Sequence, residues 1–231
     1  MTDSASPIAQ KIAIYDMDKT ITVRATYTHF LLCMAWWRAP WRLAFAPLLP
    51  LGLALYGMKI WGRKELKSFN QRLFIGTRQD GAALARHIDR FARLTLAQNA
   101  HPDALAQIAR DRADGFTLVL ATASYEFYAG AIARALDFDH VIATRISTDE
   151  RGRLLARIEG DNCYDRAKLE RIVSFLAGQG WSRESVYIRA YSDHVSDQHM
   201  LAYADEAVAT TPHGKLRSLA TERGWKIVDY R

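Results

Sequence analysis

Beyond residue 100 the chain alternates short apolar runs with stretches of helical period, and that alternation leaves few folds open. Helical stretches at 102–113, 126–136, 165–177, 197–204 and 214–223 separate strand-like runs at 116–121, 140–144, 185–191, 207–210 and 225–228. Strands joined through helices of this length build a parallel sheet with helices on its faces. An earlier run, Lys11-Ile-Ala-Ile-Tyr15, reads as one more buried strand and ends abruptly in Asp16-Met-Asp18-Lys-Thr20. Arg151-Gly-Arg, between extended runs at 144–148 and 154–158, reads as a hairpin. The expected class is therefore α/β, a doubly wound parallel sheet.

Residues 22–100 break this rhythm and read as all-helical. From Ile21 to Ala100 there are twelve Lys/Arg against three Asp/Glu, a balance of +9 inside a chain whose total is +6. Four of the six tryptophans fall there too: Trp36, Trp37, Trp41 and Trp61. Between Leu43 and Met58 the chain carries no charge over sixteen residues, yet includes two prolines and two glycines. A single membrane span needs ~20 apolar residues and tolerates such breakers poorly, so a clean transmembrane helix is not expected. Two readings fit: a broken hairpin dipping into a membrane interface between its aromatic and cationic flanks, or the core of a small helical bundle.

Composition narrows the class further. With 49% hydrophobic and 24% charged residues in a chain of 231, the sequence is that of a folded protein with a sizeable core. Cys33 and Cys163 make no spacing pattern, which excludes a zinc site and a disulfide scaffold and points to a reducing compartment. Met1 to Gln10 lacks the basic start and apolar stretch of a signal peptide, so a cytoplasmic location is expected.

The chemistry gathers at strand ends, where open α/β sheets bind ligands. Asp16 and Asp18 are one residue apart, and strand alternation would aim both carboxylates the same way. Paired carboxylates suit a hard cation such as Mg²⁺, and a carboxylate can also attack phosphorus. The strand Leu118-Val-Leu-Ala-Thr122-Ala-Ser124 ends in hydroxyls and small residues that could present Thr122 and backbone N–H groups to a phosphate at a helix start. Lys168 falls in the first turns of a helix, and Val186–Tyr191 runs into Ser192-Asp193-His-Val-Ser-Asp197, a second acidic strand end.

In this order and spacing, D-x-D-x-T, a strand ending in Thr, a lysine and D-x-x-x-D resemble the haloacid dehalogenase superfamily, in its phosphoserine-phosphatase-like branch. The resemblance covers residues 11 to 228. It implies a Rossmann-like core domain (1–21 and 101–231) with a helical cap of the C1 type (22–100) inserted after the first strand. It implies Mg²⁺-dependent phosphomonoester hydrolysis through an aspartyl-phosphate, with Asp16 the nucleophile and Asp18 the acid and then the base. Thr122, Ala123 and Ser124 with Lys168 would hold the phosphoryl group. Asp193 would hold the metal with Asp16 and the Asp18 carbonyl, supported by Asp197. Ser192 departs from the Gly common before the first Asp of the last motif.

The cap is where this superfamily selects its substrate. Phosphoserine phosphatases carry a glutamate shortly after D-x-D-x-T to meet the substrate ammonium; here Ile21-Thr-Val-Arg-Ala25 stands there, and no acid occurs from Lys19 to Lys64. The stretch Pro47 to Lys59 is similar to the equivalent part of the phosphatidylglycerophosphatase C group of lipid phosphatases. The expected substrate is thus an amphiphilic phosphate at the cytoplasmic face of a membrane, with an anionic membrane surface as partner. A soluble small-metabolite phosphatase and a non-catalytic binding protein stand as alternatives. Nucleic acid is not expected, because Leu-Pro-Leu-Gly runs offer no stacking platform and the host around the cap is acidic.

Overall fold

The computed structural model describes residues 10–230. Residues 1–9, on which the absence of a signal peptide was read, and Arg231 lie outside it. The first strand is β1 (Gln10–Tyr15). Then come α1 (Tyr27–Arg38), a 3₁₀ run over Pro40–Leu48, α2 (Leu49–Gly57), α3 (Arg63–Phe74), β2 (Arg78–Gln79) and α4 (Gly81–Asn99). Next are α5 (Pro102–Ala113), β3 (Thr117–Tyr125), α6 (Glu126–Ala135), β4 (His140–Thr144), β5 (Ile146–Thr148), β6 (Leu154–Ile158) and α7 (Arg166–Gly178). The chain closes with β7 (Val186–Ser192), α8 (Gln198–Tyr203), β8 (Glu206–Thr210), α9 (Gly214–Arg223) and β9 (Lys226–Val228).

The main sheet has the order β4-β3-β1-β7-β8-β9, and its strands pair in parallel. Successive residues of β1 serve opposite faces: Ala13 and Tyr15 join one buried apolar cluster, Ile12 and Ile14 the other. In β3, Leu118 and Leu120 likewise oppose Val119 and Ala121. A strand covered on both faces has no polar side to show, which is why these runs read as continuous apolar stretches. Each such aliphatic side chain contributes roughly 1.5–3 kcal/mol by leaving water. The Arg151 hairpin is present as β5 and β6, which pair antiparallel.

Two details depart from the sequence reading. The inserted segment is not all-helical, because β2 pairs with β6 in a small three-stranded sheet. Two extended residues leave no periodicity to detect; the partner strand makes them a strand. Strand β3 also runs past Ala121 to Tyr125 through a register shift against β4, so Thr122 lies inside the strand, while α6 starts at Glu126 as expected.

The chain enters and leaves the inserted segment at one place. Val23 N–H donates to the Asn99 carbonyl (2.8 Å), and His101 N–H donates to the Ile21 carbonyl (2.9 Å). An aromatic cluster joins α1 and α4 to the main fold: Phe30 stacks on Tyr128 of α6 at 4.3 Å, and Phe91 meets both edge-on. By contrast, the 3₁₀ run buries no residue and α2 buries only Gly52. A side chain at Gly52 would press on the Phe69 ring of α3 at 3.0 Å, so the glycine lets α2 lie flat on α3. Residues 43–58 are thus not the core of a bundle.

Arg189, an unexpected cation within β7, is answered by tertiary partners. It donates to Asp111 at 2.6 Å and to Glu206 at 2.6 Å. Asp111 is fully buried and also accepts from Tyr15 (2.6 Å), Tyr191 (2.7 Å) and Gln107 (2.9 Å), so its charge is neutralised and hydrogen-bonded.

Candidate active site

In the sheet order, β1 lies between β3 and β7, where the winding reverses and the strand ends leave a crevice. Asp16 and Asp18 follow β1, Thr122 and Ala123 lie near the end of β3, and Asp193 follows β7. With Lys168 of α7 and Asp197, all of them line one cleft of about 280 Å³. Of the residues singled out from the sequence, Ser124 is not among those lining it.

Lys168 is the hub. Its ammonium, 2% exposed, donates to Asp16 Oδ1 at 2.7 Å and to Asp197 Oδ2 at 2.8 Å. Burial alone would lower this lysine, but Asp16 and Asp197 outweigh it and hold it above its ordinary value. Asp16 is pushed up to about 8 by burial, opposed by Lys168 and reinforced by Asp197 and Asp193. Asp193 is raised too, again mainly by burial.

Asp16 and Asp18 do not share the cleft by strand alternation, because β1 ends at Tyr15 and the chain then turns. Asp16 faces Lys168, whereas Asp18 accepts from the Thr26 N–H (2.7 Å) and hydroxyl (2.8 Å) and from the Ser124 hydroxyl (2.8 Å). The expected helix start for a phosphate is likewise replaced by strand. Thr122 Oγ1 accepts from the Ser124 N–H at 3.1 Å in a local turn.

Two residues show their purpose only here. Thr20 Oγ1 accepts from the Asp193 N–H (3.1 Å) and donates to its carboxylate (3.4 Å), tying the first acidic turn to the last. Ser192, standing where the family pattern favours Gly, donates to Asp197 Oδ2 at 2.7 Å and is fully buried. Sequence reading also passed over Lys19, Arg63, Tyr164, His194 and Ser196, which line the cleft. Lys19 was visible inside the D-x-D-K-T run. Arg63, whose guanidinium lies 3.9 Å over the Tyr164 ring, had no local signal because its partner is a hundred residues away along the chain.

Among the described residues no three Asp, Glu, His or Cys side chains converge as a ready metal cluster. The donor chemistry nevertheless fits one hard cation. Three buried carboxylates, Asp16, Asp193 and Asp197, line one cleft, two of them on the same buried lysine, and Asp197 Oδ1 is buried without a hydrogen-bond partner. Two carboxylates plus a backbone carbonyl is an oxygen set of the kind Mg²⁺ takes, with waters completing it.

Comparison with known proteins agrees with this geometry. The haloacid dehalogenase-like hydrolase profile matches residues 13–202. The CicA protein of Caulobacter vibrioides is 30% identical over 198 residues, spanning 84% of this chain and 83% of its own. A phosphoserine phosphatase of Mycobacterium tuberculosis is 34% identical over 127 residues, which are 55% of this chain and 40% of that one. Among solved structures, a protein of unknown function from Bordetella pertussis Tohama I superposes with a TM-score of 0.82 at 24% identity. That match covers 96% of this chain and 99% of the other, and it establishes a common fold.

Proposed function

Because the chain belongs to the haloacid dehalogenase-like hydrolases and is a phosphomonoester hydrolase of their phosphoserine-phosphatase-like branch, we propose that its substrate is a lipid phosphate met at a membrane surface. The observation that carries this reading is the outer face of the cap. Nine of the eleven exposed large apolar side chains among the described residues lie between Leu32 and Ile60. Trp36, Trp41, Leu53 and Ile60 are 66%, 62%, 58% and 65% exposed. Apolar area on this scale marks an interaction surface. Arg38, Arg42, Lys59 and Lys64 flank or interrupt this stretch along the chain, as anchors to an anionic interface would. Arg63, three residues beyond Ile60 along the chain, lines the cleft. Among the described residues no helix is long and apolar enough to cross a membrane, which fits docking rather than spanning.

The chemistry follows from the cleft. Asp16 attacks phosphorus in line; the bond from phosphorus to the alcohol oxygen breaks as Asp18 gives that oxygen a proton. Asp18 then takes a proton from the water that hydrolyses the acyl phosphate. Lys168 offsets charge on the nucleophile and the phosphoryl oxygens, which Thr122 and the backbone around Ala123 receive. The carboxylates of Asp16 and Asp193 and the Asp18 carbonyl, with Asp197 behind, would hold Mg²⁺, which would supply the further positive charge that two anions need to meet.

The test is Mg²⁺-dependent phosphate release from phosphatidylglycerophosphate in mixed micelles, with phosphoserine alongside and Asp16→Asn as the blank. Lipid turnover that vanishes in the variant is expected. Turnover of phosphoserine or other soluble monoesters alone would overturn the lipid reading and leave the enzyme class.

A further inference from the structure

Asp18 sits in a ring of hydroxyls, hydrogen-bonded at three of its four contacts, that the phosphate chemistry above does not use. Ser124 Oγ donates to Asp18 Oδ2 at 2.8 Å and accepts from the Tyr128 hydroxyl at 2.6 Å. The Tyr128 oxygen in turn lies 3.2 Å from Thr26 Oγ1, which donates to Asp18 Oδ1 at 2.8 Å. The four groups come from four places: the turn after β1, the entry to α1, the end of β3 and the first turn of α6. Thr26, Ser124 and Tyr128 are all buried, and Tyr128 is clamped between Phe30 and Phe127.

The proton count is informative. Tyr128 has one hydrogen, and the short contact places it on Ser124. The Ser124 hydrogen is thereby directed to Asp18, since its oxygen already accepts from Tyr128. Thr26 adds its N–H, at 2.7 Å, and its hydroxyl. An ionised carboxylate offers about four lone-pair sites, of which three are occupied here. One remains for a proton in transit, and the carboxylate is held against swinging to Lys19, Arg63 or Lys168, which line the same cleft.

We infer that Thr26, Ser124 and Tyr128 form a positioning ring for the proton-transfer carboxylate Asp18, with Ser124 serving this ring rather than the phosphate. The inference rests on the proposed role of Asp18 as acid and base. It has a consequence that a purely structural role lacks. A positioned acid matters most when the leaving oxygen is strongly basic, as in an alkyl phosphate, and least when the leaving group is stable as an anion, as in p-nitrophenyl phosphate.

The experiment measures kcat/KM for octyl phosphate, phenyl phosphate and p-nitrophenyl phosphate on Ser124→Ala, Ser124→Thr, Tyr128→Phe and Asp18→Asn, each with Mg²⁺. kcat/KM reports events up to the first transfer, where the acid acts, so slow acyl-phosphate hydrolysis does not mask the effect. Ser124→Ala should lower the ratio of octyl (or phenyl) to p-nitrophenyl kcat/KM by about 10- to 100-fold, less than the roughly 10²- to 10⁴-fold of losing the proton-transfer group itself. Tyr128→Phe, which keeps the stacked ring, should lower it less, by about 3- to 10-fold on the same scale. Ser124→Thr should restore most of the loss. Equal losses on all three substrates would overturn the inference. So would an unchanged ratio in Ser124→Ala and Tyr128→Phe while Asp18→Asn shows the leaving-group effect. No leaving-group effect in Asp18→Asn would instead overturn the role assigned to Asp18 itself.

Discussion

The catalytic cleft and the outer face of the cap both invert the usual sorting of side chains, in opposite senses. In the cleft, Asp16, Lys168, Asp193 and Asp197 are each less than a tenth exposed. On the cap, a run of Leu, Ala, Pro and Gly with no charge for sixteen residues is left largely in water. The two cases differ in what compensates them. Asp16 and Asp197 are paired with Lys168, which takes both carboxylates, and Asp193 is hydrogen-bonded to Thr20. The exposed apolar groups find no cover among the described residues, and the proposed membrane contact would supply it. A site complete within the fold and a surface that calls for something beyond it are what an enzyme with a surface-bound substrate would need.

The comparison can be broken at the cleft first. Asp16→Asn should reduce turnover by roughly 10⁴-fold or more, as loss of a nucleophile does, while the protein stays folded; phosphate release and circular dichroism read the two parts. Residual activity within tenfold of wild type would remove Asp16 from the reaction. Lys168→Ala leaves two buried carboxylates unpaired and should cost about 3–5 kcal/mol of stability along with activity, by chemical denaturation. A variant as stable as wild type would mean that the hub is dispensable to the fold.

On the cap the sign reverses. Leu51→Ser with Leu53→Ser should leave stability within about 0.5 kcal/mol, since both side chains are already exposed. The same pair should weaken binding to anionic vesicles by roughly tenfold per residue if each buries in the interface. Sedimentation with vesicles and a thermal melt suffice, and a fallen melting temperature with unaltered binding would assign the pair to the fold.

A further test is the pH dependence of the metal-free protein. Asp16 holds its proton up to about 8, well above an unfolded aspartate at ~3.9. Across that window the folded state binds more protons than the unfolded one. Its stability is therefore full below ~4 and declines as pH rises towards 8. Asp16→Asn removes that decline. In chelator, the variant should gain on wild type between pH 5 and pH 8, by ~2–4 °C of melting temperature for each kcal/mol. A constant difference between the two would show that Asp16 is not held protonated.

Much of this was legible in one dimension. Buried parallel strands are apolar on both faces, so β1, β3, β4, β7 and β8 stand out as short continuous runs whose ends deliver Asp16, Thr122 and Asp193 to one crevice. What was not legible depends on partners distant in sequence. Ser124 belongs to Asp18, 106 residues away, and Arg189 to Asp111, 78 residues away, and no local pattern encodes either pair. The sixteen uncharged residues of the cap show the same division. Apolar character follows from the residues alone, but whether they become core or surface depends on what packs over them. The sequence by itself determined the sheet and the class of chemistry, because periodicity and residue type are local. Only the tertiary structure decided that the cap turns its apolar face outward and that a ring of hydroxyls surrounds Asp18, because burial and hydrogen bonding are properties of neighbours in space.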